Sequence, residues 1–383
     1  MSELAFHRVV IKAGTTLLTG KSDNLDLVQL KSLVEQLAHL YRLGVEVLLV
    51  TSGAVATGRQ VLRRIKDPET INRAAIATGE GPFRQVLASI GQSRLMHIYQ
   101  QYFSKYNLRV AQALITKEDI SQRQGYLNIR NTLTTLLAKK VIPIINENDV
   151  VAISEIQENI IGDNDSLSAL VTNLVDADLL IMLTDTAGLY TADPKRNKKA
   201  QLIDKVAIIN DEITKLANNN TNPMGRGGIA AKIAAAQLVT SSGSTAVIAS
   251  GLTNNVLIKI IDRDPIGTIF LPTGSRLESR RRWMLSKMSS LKSISIDHGA
   301  LKALKLNTGS LLPAGIIKVT GSFERGDIIG IKSTGNQTIG CGIANYSSQD
   351  HKFIMGIHSR YIMGKLGYCF GDESIHRNNM VLF

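Results

Sequence analysis

The chain is predicted to fold as an α/β domain, a mainly parallel sheet sandwiched by helices, followed by a small, mostly-β, barrel-like module. Three features of the sequence lead there. Short apolar, β-branched runs alternate with segments of helical spacing through most of the chain. From about residue 290 this alternation gives way to short apolar runs parted by glycine-bearing turns. The strands of the first region also run out into small polar clusters, which is where open parallel sheets bind ligands.

The runs that read as buried strands are RVVI near the start, VEVLLV (45–50), RVAQALI (109–115), VIPII (141–145), LLIML (179–183) and STAVIA (244–249). They are nearly continuous in apolar residues rather than alternating, as expected of strands covered on both faces. Between them lie LVQLKSLVEQLAHLYRL (27–43) and GIAAKIAAAQLVTSS (228–242), whose apolar residues recur at helical spacing. This domain is taken to span residues 1–272. The stretch LPTGSRLESRRRW turns to Pro, Gly and Ser and then to charge, so 273–289 reads as a basic linker. Residues 290–372 form the β module, and 373–383, ending RNNMVLF, form a tail.

A chain of 383 residues is long enough for about two or three domains with real cores. Hydrophobic residues at 44% and charged residues at 20% are ordinary for a globular protein. No apolar run approaches a membrane span, and MSELAFHRVVIKAG has neither a basic n-region nor a sustained apolar core. The two cysteines, Cys341 and Cys369, are too few for a disulfide framework or a metal cluster, and a cytoplasmic setting is expected. The excess of 44 Lys+Arg over 32 Asp+Glu gives +12. A solvated basic surface, an anionic substrate such as a nucleotide, and a nucleic acid all fit that charge. ESRRRW (278–283) is its one true cluster.

The polar clusters carry the chemistry. Lys12 follows RVVI, Thr51-Ser52-Gly53-Ala54 follows VEVLLV, Asn146-Glu147-Asn148-Asp149 follows VIPII, and Thr184-Asp185 follows LLIML. Any one of these is explained by turn chemistry; several on one sheet edge point to a shared site. GDND (162–165) opens a helical segment. Its Asp163, Asn164 and Asp165 are all suited to capping, yet a cap needs one such residue, so capping and a ligand site both stand on this stretch alone.

In GRGGIAAK (225–232) glycines precede a helix and Lys232 falls in or near its first turn. A cation there opposes the helix dipole by about 0.3–1 kcal/mol. A bound phosphate reverses the sign, because exposed amides and the lysine then converge on an anion; an exposed lysine reaching solvent is the other reading. The spacing is not that of a Walker loop. Two lysines, a carboxylate cluster and a glycine-rich cradle are what phosphoryl transfer uses, since its catalysis is mostly positioning and cationic stabilisation. His7, His39 and His97 have no serine or cysteine elbow nearby, which sets hydrolase triads aside.

Taken together, these pieces resemble the bacterial glutamate 5-kinases, an amino acid kinase domain followed by a PUA domain. The likeness runs in order through VVIKAGTTLLTG, VEVLLVTSGAVATGR, IGQSRLM, LNIRNTL, VIPIINENDVVA, GDNDSLSALV, LTDTAGLYTADP and GRGGIAAKIAAA, and then through SLLPAGIIKVTGSFERGDII in the PUA domain. It implies ATP- and Mg²⁺-dependent phosphorylation of the γ-carboxylate of L-glutamate, the entry to proline synthesis. Lys12 and Lys232 would neutralise the transferring phosphoryl group, and Asp165 would hold both. Ser52, Asn146, Asp149 and Asn164 match substrate-contacting positions, with Asp149 gripping the ammonium. Lys12, Thr184, Asp185, Arg226, Gly227, Gly228, Ile229, Ala230, Ala231 and Lys232 match the ATP site. No metal ligand is assigned. A homo-oligomer, dimer or tetramer, is also implied.

Some positions depart from that pattern. Relatives usually carry Thr where Arg226 stands and hydroxyl residues where Ala230 and Ala231 stand. Ala13 replaces a bulkier apolar residue, QENII lacks a lysine found in some relatives, and the stretch 66–85 is longer than usual. Two other functions are weighed against the kinase. One is a sister kinase with a different carboxylate acceptor. The other is RNA binding through the PUA-like domain, against which stand the mixed, scattered charges of 290–370.

Overall fold

The computed structural model describes residues 6–20, 24–63, 80–152, 163–194, 196–219, 228–275, 284, 291–306 and 309–382. Arg226, Gly227, the cluster 278–283, QENII and most of 66–85 lie outside the described residues. The chain divides into two compact units. One comprises 1–119 with 130–275, and the other 120–129 with 276–383.

The first unit is built on β1 (Arg8–Ala13), α1 (Thr15–Thr19), α2 (Leu27–Arg42), β2 (Glu46–Thr51), α3 (Ala54–Arg63), α4 (Glu80–Ser104), β3 (Arg109–Ile115), α5 (Lys117–Ser121), α6 (Arg123–Ala138), β4 (Val141–Glu147), α7 (Asp163–Leu174), β5 (Leu179–Thr184), β6 (Lys205–Val206), α8 (Asp211–Asn219), α9 (Ile229–Ser241), β7 (Thr245–Ser250), α10 (Val256–Ile261) and β8 (Thr268–Phe270), with the end of α5 and the start of α6 belonging to the second unit at 120–129. Its sheet has the order β3-β4-β2-β1-β5-β7-β8-β6, parallel except where β7 meets β8. The expected mainly parallel α/β sheet is therefore present. Strands β6 and β8 were not foreseen, because segments of two or three residues show no periodicity.

Helices account for the apolar runs. Val9, Val10 and Ile11 are wholly buried, as are Leu180, Ile181 and Met182 on β5, so these strands need no polar face. Helix α2 starts on Asp26, whose carboxylate accepts from the amides of Val28 and Gln29 at 3.0 Å each. It buries Leu30, Leu33, Val34, Leu37 and Leu40, one stripe at helical spacing, into the main core.

Register sets the site. Lys12 lies beside Val50 and Met182, and Ala13 beside Thr51 and Leu183. The carboxyl ends of β1, β2 and β5 are thus level. Strand β1 is flanked by β2 on one side and β5 on the other, which makes this rim the switch point of the sheet. The polar residues expected in loops begin inside the strands. Thr51, Thr184, Asn146 and Glu147 are still paired in the ladder, with Asn146 against Leu114 and Thr184 against Ser250. The rim is anchored by the sheet itself.

Helices α3 and α4 cross without room for side chains at the contact. A Cβ on Gly91 would sit 1.8 Å from the Ala54 carbonyl oxygen and 2.3 Å from the Gly58 nitrogen, and one on Gly58 would sit 1.9 Å from the Leu87 oxygen. Only glycine permits this approach.

The second unit holds β9 (Ser293–Ile296), α11 (His298–Lys305), β10 (Ile316–Thr320), β11 (Ile328–Lys332), β12 (Thr338–Ile343), α12 (Ser348–Ile354), α13 (Ile362–Leu366) and β13 (Met380–Leu382). Its sheet runs β10-β9-β11-β12-β13, with Ile294, Ile296, Ile329, Ile331 and Phe323 in its core. The tail supplies β13, paired to β12. Leu127, from the short early segment, packs with Met284, Ile328, Cys341, Ile343 and Val381. Among the described residues no helix is long and apolar enough to cross a membrane.

Candidate active site

Lys12 is the penultimate residue of β1, and its side chain turns off the sheet rim to Asp165, Nζ to Oδ1 2.8 Å. Asp165 lies within the first turn of α7 rather than ahead of it, so it is not an N-cap. It has no exposed surface. Its other oxygen, Oδ2, meets Lys232 Nζ at 3.0 Å, and Lys232 stands in the first turn of α9, which packs beside α7. One buried carboxylate at a helix start therefore bridges two buried ammoniums, one from a strand and one from a second helix start. As ions the three groups sum to +1.

The electrostatics follow from burial and charge. Desolvation pulls the Lys12 amine below its ordinary value, the Lys232 charge adds to that, and Asp165 opposes it. Desolvation alone would raise the Asp165 carboxyl, but Lys12 and Lys232 together hold it below the ordinary range. The amino end of α7 favours the same anion.

Helix α9 begins at Gly228 with no side-chain cap and no acid in its first turn. Among the described residues, a Cβ on Gly228 would meet nothing within 4 Å. At Gly14 a Cβ would come within 3.2 Å of Lys12 Nζ, so the missing side chain keeps the lysine's flank clear. A helix start without a side-chain cap and a lysine in its first turn fit the phosphates of a nucleotide. Ile229, Ala230 and Ala231 are half-buried along this first turn.

A second group of side chains is tied to the first through α7. Asn164, next to Asp165, donates its side-chain amide to Ser52 Oγ at 2.8 Å, to the Thr51 carbonyl at 3.1 Å and to Asn146 Oδ1 at 3.2 Å. Asn146 Nδ2 donates in turn to Gln92 Oε1 at 2.9 Å. Asp149 lies two residues past the end of β4, half-buried. Thr184 closes β5, and its hydroxyl donates to the exposed Asp185 at 3.1 Å. The structure thus brings Lys12, Lys232 and Asp165 together, and Ser52, Asn146 and Asn164 together. Thr184, Asp185 and Asp149 sit on the same sheet's carboxyl edge.

Sequence reasoning assigned no role to Gln92 or Tyr99. Both are on α4, buried among Ala88, Leu95 and Phe103. The signal was a glutamine in an apolar stripe, at a position where helical spacing calls for a hydrophobe. Tyr99 bonds Thr51 Oγ1 at 2.7 Å and so steadies the strand end that carries Ser52.

The amino acid kinase family matches residues 7–250, and the PUA domain matches residues 292–364. The chain is 47% identical, over 382 residues and 100% of each chain, to the glutamate 5-kinase of Dehalococcoides mccartyi. It is 45% identical to that of Herpetosiphon aurantiacus over 98% of each chain. It is 43% identical to that of Shewanella oneidensis over 100% of this chain and 99% of the other.

Proposed function

The chain belongs to the amino acid kinase family, to the glutamate 5-kinases that phosphorylate the γ-carboxylate of L-glutamate with ATP as the first step of proline synthesis, and we propose that Lys12, Lys232 and Asp165 carry that transfer. The observation behind this assignment is the single carboxylate bridging two ammoniums at the sheet rim. The acceptor is already ionised at neutral pH, so no general base is required. What the reaction needs is help for two anions to meet. Lys12 and Lys232 offset charge on the phosphoryl oxygens, more strongly in a buried site than in water. Asp165 fixes the lysines in place.

On the nucleotide side, Thr184, Asp185 and the segment from Arg226 to Lys232 take ATP, with the amino end of α9 facing the phosphates. A Mg²⁺ ion, held mainly by phosphate oxygens and water, would supply further neutralisation of the nucleotide when bound. On the acceptor side, Ser52, Asn146 and Asn164 form one hydrogen-bonded surface for glutamate, and Asp149 takes its ammonium. Family likeness adds a homo-oligomer and a cytoplasmic setting.

Trapping the acyl phosphate as hydroxamate tests the reading. Glutamate-dependent hydroxamate is expected with ATP and Mg²⁺, and Lys12→Ala or Lys232→Ala should lower turnover by about 10²–10³-fold in protein that remains folded. Absence of signal above a glutamate-free blank, or full turnover in either variant, would contradict it.

A further inference from the structure

The direction of every amide in the Thr51–Asn164–Asn146–Gln92 chain follows from one backbone carbonyl. The Thr51 oxygen can only accept, so the Asn164 atom 3.1 Å from it is the amide nitrogen. That nitrogen also faces Asn146 at 3.2 Å, so the Asn146 atom there is the oxygen. Asn146 must then turn its own nitrogen to Gln92, 2.9 Å from Oε1. Gln92 is left presenting its Nε2 group, with two hydrogens to donate.

That nitrogen is buried and has no acceptor among the described residues, and Gln92 as a whole is 8% exposed. At the other end of the chain the Asn164 oxygen is buried and equally without a donor. Buried polar groups are almost always paired. Here two orphans of opposite kind end one hydrogen-bonded chain, and the chain starts beside the residue that holds both lysines.

We propose that Gln92 is a substrate-binding residue whose Nε2 donates to the α-carboxylate of glutamate. The choice of carboxylate follows from order along the chain. Asn164 adjoins Asp165, Asn146 is one hydrogen bond further, and Gln92 is two further. The donor therefore lies at the end of the chain remote from the phosphoryl-handling lysines, as the α-carboxylate lies remote from the γ-carboxylate. This inference rests on the reading of the site as a glutamate kinase. It assigns specificity to a helix that no strand-end motif marks.

The test pairs two variants with two substrates. Gln92→Glu keeps shape and the bond from Asn146 but turns a carboxylate toward the substrate; Gln92→Ala removes the contact altogether. In both, the KM for glutamate should rise by about 10- to 100-fold, with kcat and the KM for ATP within about threefold. The second substrate is 4-aminobutyrate, which is glutamate without its α-carboxylate. Its kcat/KM should change by less than about threefold in either variant, so that discrimination between the two substrates collapses. Equal losses on both substrates, or an unchanged KM for glutamate, would overturn the proposal. Glutamate binding measured calorimetrically on the same variants provides a readout independent of turnover. Should the wild type make no glutamate-dependent hydroxamate, the kinase reading itself fails; a fully active wild type with unaltered variants sinks the Gln92 role alone.

Discussion

Asp165 shows how much one residue can organise. Its carboxylate is fully buried, yet it remains the anion because two ammoniums lie at 2.8 and 3.0 Å. Removing one partner of such a cluster is expensive, because it leaves charge buried and unpaired. The lysines were legible in the sequence because Lys12 follows an apolar strand run and Lys232 puts a cation in the first turn of a glycine-preceded helix. Gln92 was not assigned, since a glutamine among helical apolar residues becomes conspicuous only once the helix phase is known. Lys12 carries a pH dependence. Its folded value lies below its ordinary 10.5, so it loses its proton at a lower pH when folded than when unfolded. Within that window the unfolded chain binds more protons, and the stability linked to this residue rises with pH. Activity needs the ammonium, so the alkaline limb of kcat/KM, which reports the free enzyme, should fall below 10.5. In Lys12→Arg, whose charge persists, the residual activity should lose that limb. A limb unmoved by the substitution would show that another group sets it.

At the scale of elements, two helix starts and three strand ends converge because the sheet registers are level and the helices pack closely. The strands and long helices were readable as periodic apolar patterns. The short strands β6, β8 and β13 were not, because pairing with a distant partner, rather than local pattern, makes them strands. The crossing of α3 and α4 depends on Gly58 and Gly91, where an added Cβ lies under 2 Å from a backbone oxygen. Gly91→Ala should destabilise the fold by about 1–3 kcal/mol through overpacking. Because Gln92 is the next residue, it should also raise the KM for glutamate. A lowered midpoint in urea with an unchanged slope checks the first effect; an unchanged midpoint would mean that the helices can part at no cost.

For the molecule as a whole, the second unit is discontinuous in sequence, and no local signal in 120–129 announces this. Leu127 is fully buried by residues from Met284 to Val381. A chain ended at residue 275 would remove Met284, Ile328, Cys341, Ile343 and Val381 from around that side chain. The truncated protein should bind more hydrophobic dye and aggregate more readily than the full chain, and Leu127→Gln in the truncated chain should reduce both. Equal dye binding by full and truncated chains would show that the early segment does not depend on the later one.

The most direct measurement of whether the bridged lysines perform the transfer is a single-turnover rate for Asp165→Asn, which keeps the side chain's shape and removes its charge. The expected result is acyl-phosphate formation slowed by about 10²-fold or more, with ATP still bound about as tightly as by the wild type. A rate within tenfold of the wild type would show that the lysines need no carboxylate to hold them, and the shared-carboxylate arrangement would then not be the basis of catalysis.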